Sequence, residues 1–518
     1  MDVPAAAGRG ESLRRRILSC PAARLPLLIA IAAALWAVGI GQRWLWLDEL
    51  LSVNFAANGP WVTLVTVLRY DVHPPLYYLQ LSLWMLVGQG DLWLMANSLF
   101  WHTAAIALLV HGVGALHGAR AGWAAGLLLA VSPAALLYDD QVRMYAFLMF
   151  LIVWAWYAQA RWLEGKAGRH GGLWLVLSQA AVTASHAAGL LMLSGIVVLG
   201  AVTVLRPRCR HRLARWLLLE GAVLLLALPG IAIGLMRGVG HLRTPGLQDL
   251  LAIATFLAGG SQLPAVASLA MAAAVAAALA LAAWRARGAA LSIATLLAVP
   301  LLLAALASHL ARPVWIERLF VPLIPCLCLC LAVGLCGRPV RRRADVALLL
   351  LAAAWAGAGL AAQATRVKVD GFHRVAEALR GQARPGDLVL VDGDFAYWSF
   401  MWSFAGPGWG EARHASVANA DWDRLLRRLP RQLVAALDLS EADTLEERGG
   451  IALAMWDRRA ALPPARGRIW LIRNAASPGV QLPGRLLAEQ RVLSQIRVED
   501  WVPVPSAAAG DPALPARY

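Results

Sequence analysis

Runs of apolar residues long enough to cross a bilayer constrain this chain more than any other feature. "LPLLIAIAAALWAVGI" (25–40), "SLAMAAAVAAALALAAW" (268–284) and "ADVALLLLAAAWAGAGLAA" (344–362) are examples. Each lies within or approaches the roughly 20 apolar residues that a helix needs to span hydrocarbon. Composition agrees, with 59% hydrophobic and 15% charged residues among 518, where a soluble domain carries about a quarter charged. The fold class is therefore a polytopic α-helical membrane protein.

The net charge of +16 does not indicate nucleic acid, because the arginines punctuate the apolar runs instead of gathering on one face. The clusters "RPRCRHRLAR" (206–215), "WRARG" (284–288) and "GRPVRRR" (337–343) mark cytoplasmic loops. Cys326, Cys328 and Cys330 sit in an apolar run at a spacing that turns successive side chains apart on a helix, which suits packing and not a metal site.

The basic stretch "GRGESLRRR" precedes the first apolar run and predicts a retained signal-anchor helix whose start is cytoplasmic. Propagating that orientation gives about eleven spans, and every strong arginine cluster then falls on the cytoplasmic side. The spans lie near 24–42, 93–115, 121–137, 146–161, a hairpin through 172–205, 216–235, 264–284, 289–308, 319–336 and 345–363. The scheme requires "PPLYYLQLSLWMLVG" (74–88) to be an interfacial helix, since it is short and carries Gln80. Three domains are expected: a cytoplasmic N-terminus (1–23), a transmembrane domain (24–364) with a catalytic outer loop at 43–91, and an extracytoplasmic α/β domain (365–518). In the last, 372–394 predicts an amphipathic helix, a Pro-Gly turn and a strand, and 467–475 and 490–504 predict further strands.

Once the chain is oriented, its ionisable residues outside helix ends collect on the outer side. The first outer loop carries Asp48 and Glu49, then Asp71 and His73 in "RYDVHPPLYYLQ" (69–80). The second carries Asp139, Asp140, Gln141, Arg143 and Tyr145, and a later one carries His309, Arg312, Glu317 and Arg318. Carboxylates, cations and aromatic rings at one membrane boundary describe a site for a lipid with an anionic headgroup. Arginine suits a phosphate as a bidentate donor, and a carboxylate can deprotonate an acceptor or hold a divalent cation. Each residue also has a plain structural use: Asp48 and Glu49 as helix caps, Arg143 and Arg318 as snorkelling cations, Asp139 and Asp140 as solvated loop charges. His102, His111 and His117 suit packing within the second span.

An acidic pair after the first span, followed by D-x-H-P-P-L on the same loop, resembles the protein O-mannosyltransferases and their bacterial relatives, the aminoarabinose transferases. These are GT-C membrane glycosyltransferases (glycosyltransferase family 39-like) that use polyprenyl-phosphate-linked sugars. The matching pieces are "LDELLSVNF", "DVHPPLYY", "SPAALLYDDQVRMYAFL" (132–148) and "ERLFVPLIPCL" (317–327), within residues 20–340. The resemblance implies Asp48, with Glu49 beside it, as the catalytic position. It puts Asp71 and His73 near the donor phosphate, and Arg143, Tyr145 and Arg318 in the donor headgroup pocket. Asp139 or Asp140 would serve the acceptor or a metal.

Two departures stand out. Many relatives read Q-E-x-R-M-Y where this chain has Asp140-Gln141-Val142-Arg143, so Asp140 takes over the acidic role. The aminoarabinose branch carries a lysine where His73 stands.

The expected activity is inverting transfer of a single sugar from a polyprenyl-phosphate donor to a lipid, glycan or protein acceptor at the outer face of a bacterial inner membrane. Membrane lipids are partners and nucleic acid is not. A transporter or flippase would want ionisable residues near the bilayer midplane. A ligase of lipid-linked glycans differs in moving more than one sugar, and a silent scaffold leaves Asp48 and His73 as coincidence.

Overall fold

The computed structural model describes residues 21–40, 45–57, 59–236, 242, 244–285, 287–336, 342–365, 371–392, 400, 403–404, 445–448, 451–456, 462, 465–477, 479–493 and 496–503. The chain divides into two compact units. The first comprises Met1–Arg43 and Gly59–Val367, and the second comprises Trp44–Asn58 and Lys368–Tyr518. Residues 44–58, read in sequence as part of the transmembrane domain, therefore group with the C-terminal residues.

The helices of the first unit are α1 (Pro21–Ile40), α3 (Pro60–Tyr70), α4 (Leu76–Met85), α5 (Asp91–His117), α6 (Ala119–Val131), the single turn α7 (Pro133–Leu136), α8 (Tyr145–Leu163), α9 (Gly171–Thr183), α10 (Gly189–Val204), α11 (Leu213–Met236), α12 (Leu247–Leu257), α13 (Ala265–Arg285), α14 (Arg287–Ser292), α15 (Val299–Leu310), α16 (Ile324–Cys336) and α17 (Arg342–Thr365). A π-helical stretch, Ile293–Ala298, joins α14 to α15, and a 3-10 segment, Glu317–Leu323, leads into α16.

Seven described helices are long and apolar enough to cross a membrane: Asp91–His117, Tyr145–Glu164, Arg210–Gly234, Ala265–Arg285, Gly288–Leu310, Glu317–Cys336 and Asp345–Ala364. The other four segments read as spans form shorter apolar helices, at Leu25–Ile40, Ala119–Val131, Gly171–Thr183 and Gly189–Val204. The third span, expected to run to about residue 137, stops at Val131. Ser132 and Pro133 break it: the serine hydroxyl accepts the Ala135 N–H and the proline opens α7 at a position that needs no N–H donor. The run at 74–88 forms α4, whose ten residues rise only about 15 Å.

The second unit holds α2 (Leu47–Ala56), α18 (Gly371–Arg380) and a six-stranded sheet. Its strands are β1 (Leu388–Asp392), β2 (Leu445–Arg448), β3 (Ile451–Trp456), β4 (Ile469–Asn474), β5 (Arg485–Leu493) and β6 (Ile496–Pro503), in the order β2-β3-β1-β4-β6-β5. β1 runs parallel to β3 and β4, and the other pairings are antiparallel. Because β1 is central and covered on both faces, it reads "LVLVD", apolar almost throughout. Val389 and Val391 face Val375, Ala376 and Leu379 of α18, while Leu388 and Leu390 join Trp456 and Trp501 on the other face. Leu51 of α2 packs against the α18 face. The strand expected at 490–504 is in fact parts of two, β5 and β6, paired antiparallel; β5 is largely exposed and β6 largely buried.

Candidate functional site

The loop between α3 and α4 is shaped by Asp71. Its Oδ1 accepts the N–H groups of Val72 at 2.6 Å and His73 at 3.2 Å, so the carboxylate closes a local turn. Leu76 N–H donates to Ala184 O at 2.9 Å, which fastens the start of α4 to the turn between α9 and α10. Tyr77 and Tyr78 on α4 are buried. Burial first, then the Asp71 charge, holds the Tyr78 phenol well above its ordinary pKa.

That second turn delivers a residue that the sequence analysis did not single out. His186 lies with its ring centroid 4.4 Å from that of His73, tilted by 40°. The Ala188 N–H donates to His186 Nδ1 at 3.0 Å, which leaves Nε2 as the proton-bearing nitrogen of the neutral ring. His73 Nδ1 is buried and has no hydrogen-bond partner among the described residues. Burial, then the guanidiniums of Arg143 and Arg318, pushes the His73 imidazole down to about 3. The same causes, with His73 itself, hold His186 well below its ordinary value, while Asp71 acts in the opposite sense.

Arg143 comes from the turn between α7 and α8. Ser98 donates its hydroxyl to Gln141 O, Gln141 Nε2 donates to Leu137 O at 3.0 Å, and Arg143 N–H donates to Gln141 O at 2.7 Å. Asp139 is fully buried and pairs with His102, Nδ1 to Oδ2 at 3.0 Å, while the other ring nitrogen meets Leu129 O at 3.3 Å. His102 and Asp139 are thus a partnered pair under the turn. Asp140 is buried beside them.

His73, His186, Tyr145, Arg312 and Arg318 line one cavity of about 300 Å³. The remaining wall is apolar, including Leu190, Leu191, Ile231, Ala307 and Val314. Arg312 donates to Gly234 O at 2.8 Å, satisfying a carbonyl in the last turn of α11. A Cβ at Gly230 on the same helix would meet Thr183 O at 2.9 Å and Pro74 Cγ at 3.1 Å. Only glycine lets α11 come this close to both loops. The arrangement has a polar wall of cations and imidazoles and an otherwise apolar lining, the combination that takes an anionic headgroup with an apolar tail.

Asp48 and Glu49 belong to the second unit. Glu49 is fully buried and accepts the Trp46 N–H at 3.0 Å, so it caps the start of α2. Asp48, half-buried in the same first turn, accepts the Ser52 hydroxyl through its backbone oxygen at 2.9 Å. Among the described residues, no group of three or more His, Cys, Asp or Glu side chains is placed to hold a metal ion.

No protein-family model matches the chain, and no curated protein matches it significantly in sequence. Solved structures do. ArnT from Cupriavidus metallidurans bound to undecaprenyl phosphate superposes with a TM-score of 0.56 at 14% identity, covering 94% of this chain and 99% of that one. The apo state of the same protein gives the same TM-score, identity and coverage of this chain, and 98% of its own. The chain has a GT-C fold. The match spans almost all of both chains, so the GT-C likeness takes in the C-terminal sheet as well as the helical bundle.

Proposed function

We propose that the protein is a membrane glycosyltransferase that moves a single sugar from a polyprenyl-phosphate donor to an acceptor at the outer face of the membrane. The observation that carries this reading is the cavity, where Arg318, Arg312, His73, His186 and Tyr145 face the same space as an apolar wall. A fold shared with a protein crystallised with undecaprenyl phosphate supports it. In this reading Arg143 and Arg318 stabilise the leaving phosphate, and Asp71 holds the loop that presents His73.

Asp48 takes the acceptor's proton as general base, and the acceptor attacks the anomeric carbon opposite the phosphate, inverting it. Glu49 contributes by capping the helix that carries Asp48, and Asp139 and Asp140 shape the turn that carries Arg143. The acceptor is a lipid, a glycan or a protein. Eleven spans put the catalytic face and residues 365–518 outside the cytoplasm of a bacterial inner membrane.

Mass spectrometry of glycolipids and glycoproteins from a deletion strain and its parent tests the reading. Loss of one sugar from one acceptor class, with accumulation of the lipid-linked sugar, is expected. Identical profiles from the two strains would count against transfer, and loss of a whole glycan would favour a ligase.

A further inference from the structure

The turn at 184–188 and the loop at 71–75 each bring an imidazole to the wall of the cavity. In each ring one nitrogen is withdrawn from it. His186 Nδ1 is turned back into its own turn, where it accepts the Ala188 N–H at 3.0 Å. The proton of the neutral ring therefore sits on Nε2. His73 Nδ1 is buried and has no partner among the described residues. A proton there would be a buried donor without an acceptor, which folded chains avoid. His73 too carries its proton on Nε2.

We infer that His73 and His186 form a clamp of two neutral donors, Nε2–H on each ring, that holds the phosphate oxygens of a lipid-linked ligand in the cavity. This rests on the reading that the cavity takes a lipid phosphate. Two observations besides the tautomers carry it. The ring centroids lie 4.4 Å apart with their planes tilted by 40°, close enough for both donors to meet one phosphate group. The rings also share their wall with Arg312 and Arg318 while the rest of the lining is apolar, so an oxygen-rich headgroup has one place to lie. The arginines supply charge, and the imidazoles supply direction: a neutral N–H is effective only on an oxygen in line with it.

The surroundings keep the pair uncharged. Asp71 lies on the same loop as His73, with Tyr78 of α4 behind it. Arg143 and Tyr145 come from the start of α8, and Arg312 and Arg318 from the segment before α16. Burial first, then Arg143 and Arg318, pushes His73 down to about 3. Burial first, then His73 and the same arginines, holds His186 well below its ordinary value. A neutral imidazole holds an oxygen without giving up its proton. The clamp therefore binds the phosphate but does not protonate it when the bond to the sugar breaks and its electron pair stays on the phosphate oxygen.

The test uses the purified full-length protein in dodecyl maltoside and methyl dodecyl phosphate, a diester that keeps one negative charge at every working pH. With isotope-labelled histidine, the His73 and His186 resonances, assigned by their loss in single variants, should be those of the neutral Nε2–H tautomer. Both Nε2 protons should move downfield when the diester is added. Inorganic phosphate should not move them, since it has nothing to place on the apolar wall. Titration calorimetry should give a level Kd between pH 6 and pH 8.5. His186→Asn, whose amide ends near the place of Nδ1, should bind about tenfold more weakly, and His186→Gln, whose amide reaches the place of Nε2, should recover most of that loss.

An Nδ1–H tautomer or a protonated ring at either position in the bound state overturns the inference alone. So does binding that tightens about tenfold for each pH unit lost, the mark of an imidazolium donor. Equal affinity in the Asn and Gln variants also overturns it, and the wild-type resonances carry the test where a variant does not fold. An equal response to inorganic phosphate would overturn a lipid-linked ligand. If the diester does not bind the folded wild type, the donor-pocket reading falls and the clamp with it.

Discussion

Arg143 is only 7% exposed and Arg318 is half-buried, yet both act on the same two imidazoles from separate loops. Scattered snorkelling would leave each arginine reaching for headgroups on its own; convergence suits a bound anion. Arg143→Ala and Arg318→Ala should each weaken donor binding by the roughly 1.5–3 kcal/mol of a charged hydrogen bond. Acceptor KM should hardly move, and equal losses on both substrates would argue for a folding defect instead. Asp48 calls for a different measurement. Asp48→Asn keeps the size of the side chain and leaves the Ser52 bond to the backbone oxygen intact. Expression and thermal stability should be unchanged, whereas turnover should fall on the order of 10²–10⁴-fold as for loss of a general base. Near-normal turnover by the purified variant would rule Asp48 out.

At the scale of elements, the His73 loop and the His186 turn are held as one piece by Leu76 N–H on Ala184 O and by the bare surface of α11 at Gly230. Gly230→Val should push Pro74 and Thr183 away while the helix itself persists. The expected result is a donor KM raised about tenfold or more, equivalent to about 1.4 kcal/mol, with an unchanged circular dichroism spectrum. A variant with wild-type donor KM would show that the close approach does not position the site.

This joint also marks how far the sequence can be read. Apolar length exposed the long helices, and D-x-H-P-P-L exposed the Asp71–His73 loop, because both are local signals. His186 had none: it is a single histidine in the short turn "TASHAAG" (183–189), and its nearness to His73 arises only when α9, α10 and α11 pack. His102 looked like a packing residue because its partner, Asp139, is 37 positions away. The grouping of residues 44–58 with the C-terminal unit was likewise invisible. The apolar face of α2 looks the same whether it lies on a membrane or, as Leu51 does, on a core beside α18.

For the whole molecule, the side of the membrane on which the second unit folds decides whether the proposed base and the proposed donor site can meet the same substrates. Seven helices are long enough to cross, and four shorter apolar helices fall where the sequence predicts the remaining spans; the eleven-span scheme takes all of these to cross. An odd number puts the two ends of the bundle on opposite sides. Charge gives an independent sign. The basic start of the chain and the clusters at 206–215 and 337–343 all lie on one side in the eleven-span scheme, as retention of arginine in the cytoplasm requires. The same scheme puts the polar loops at 71–75, 139–143 and 311–318, and the turn at 184–188, on the other side. Alkaline phosphatase fused after residue 518 should therefore be active in cells, and green fluorescent protein fused there should be dark. The opposite pair of results would put the second unit, with Asp48, in the cytoplasm. An outward-facing donor site would then be cut off from its base, and the transfer mechanism proposed for it would fail.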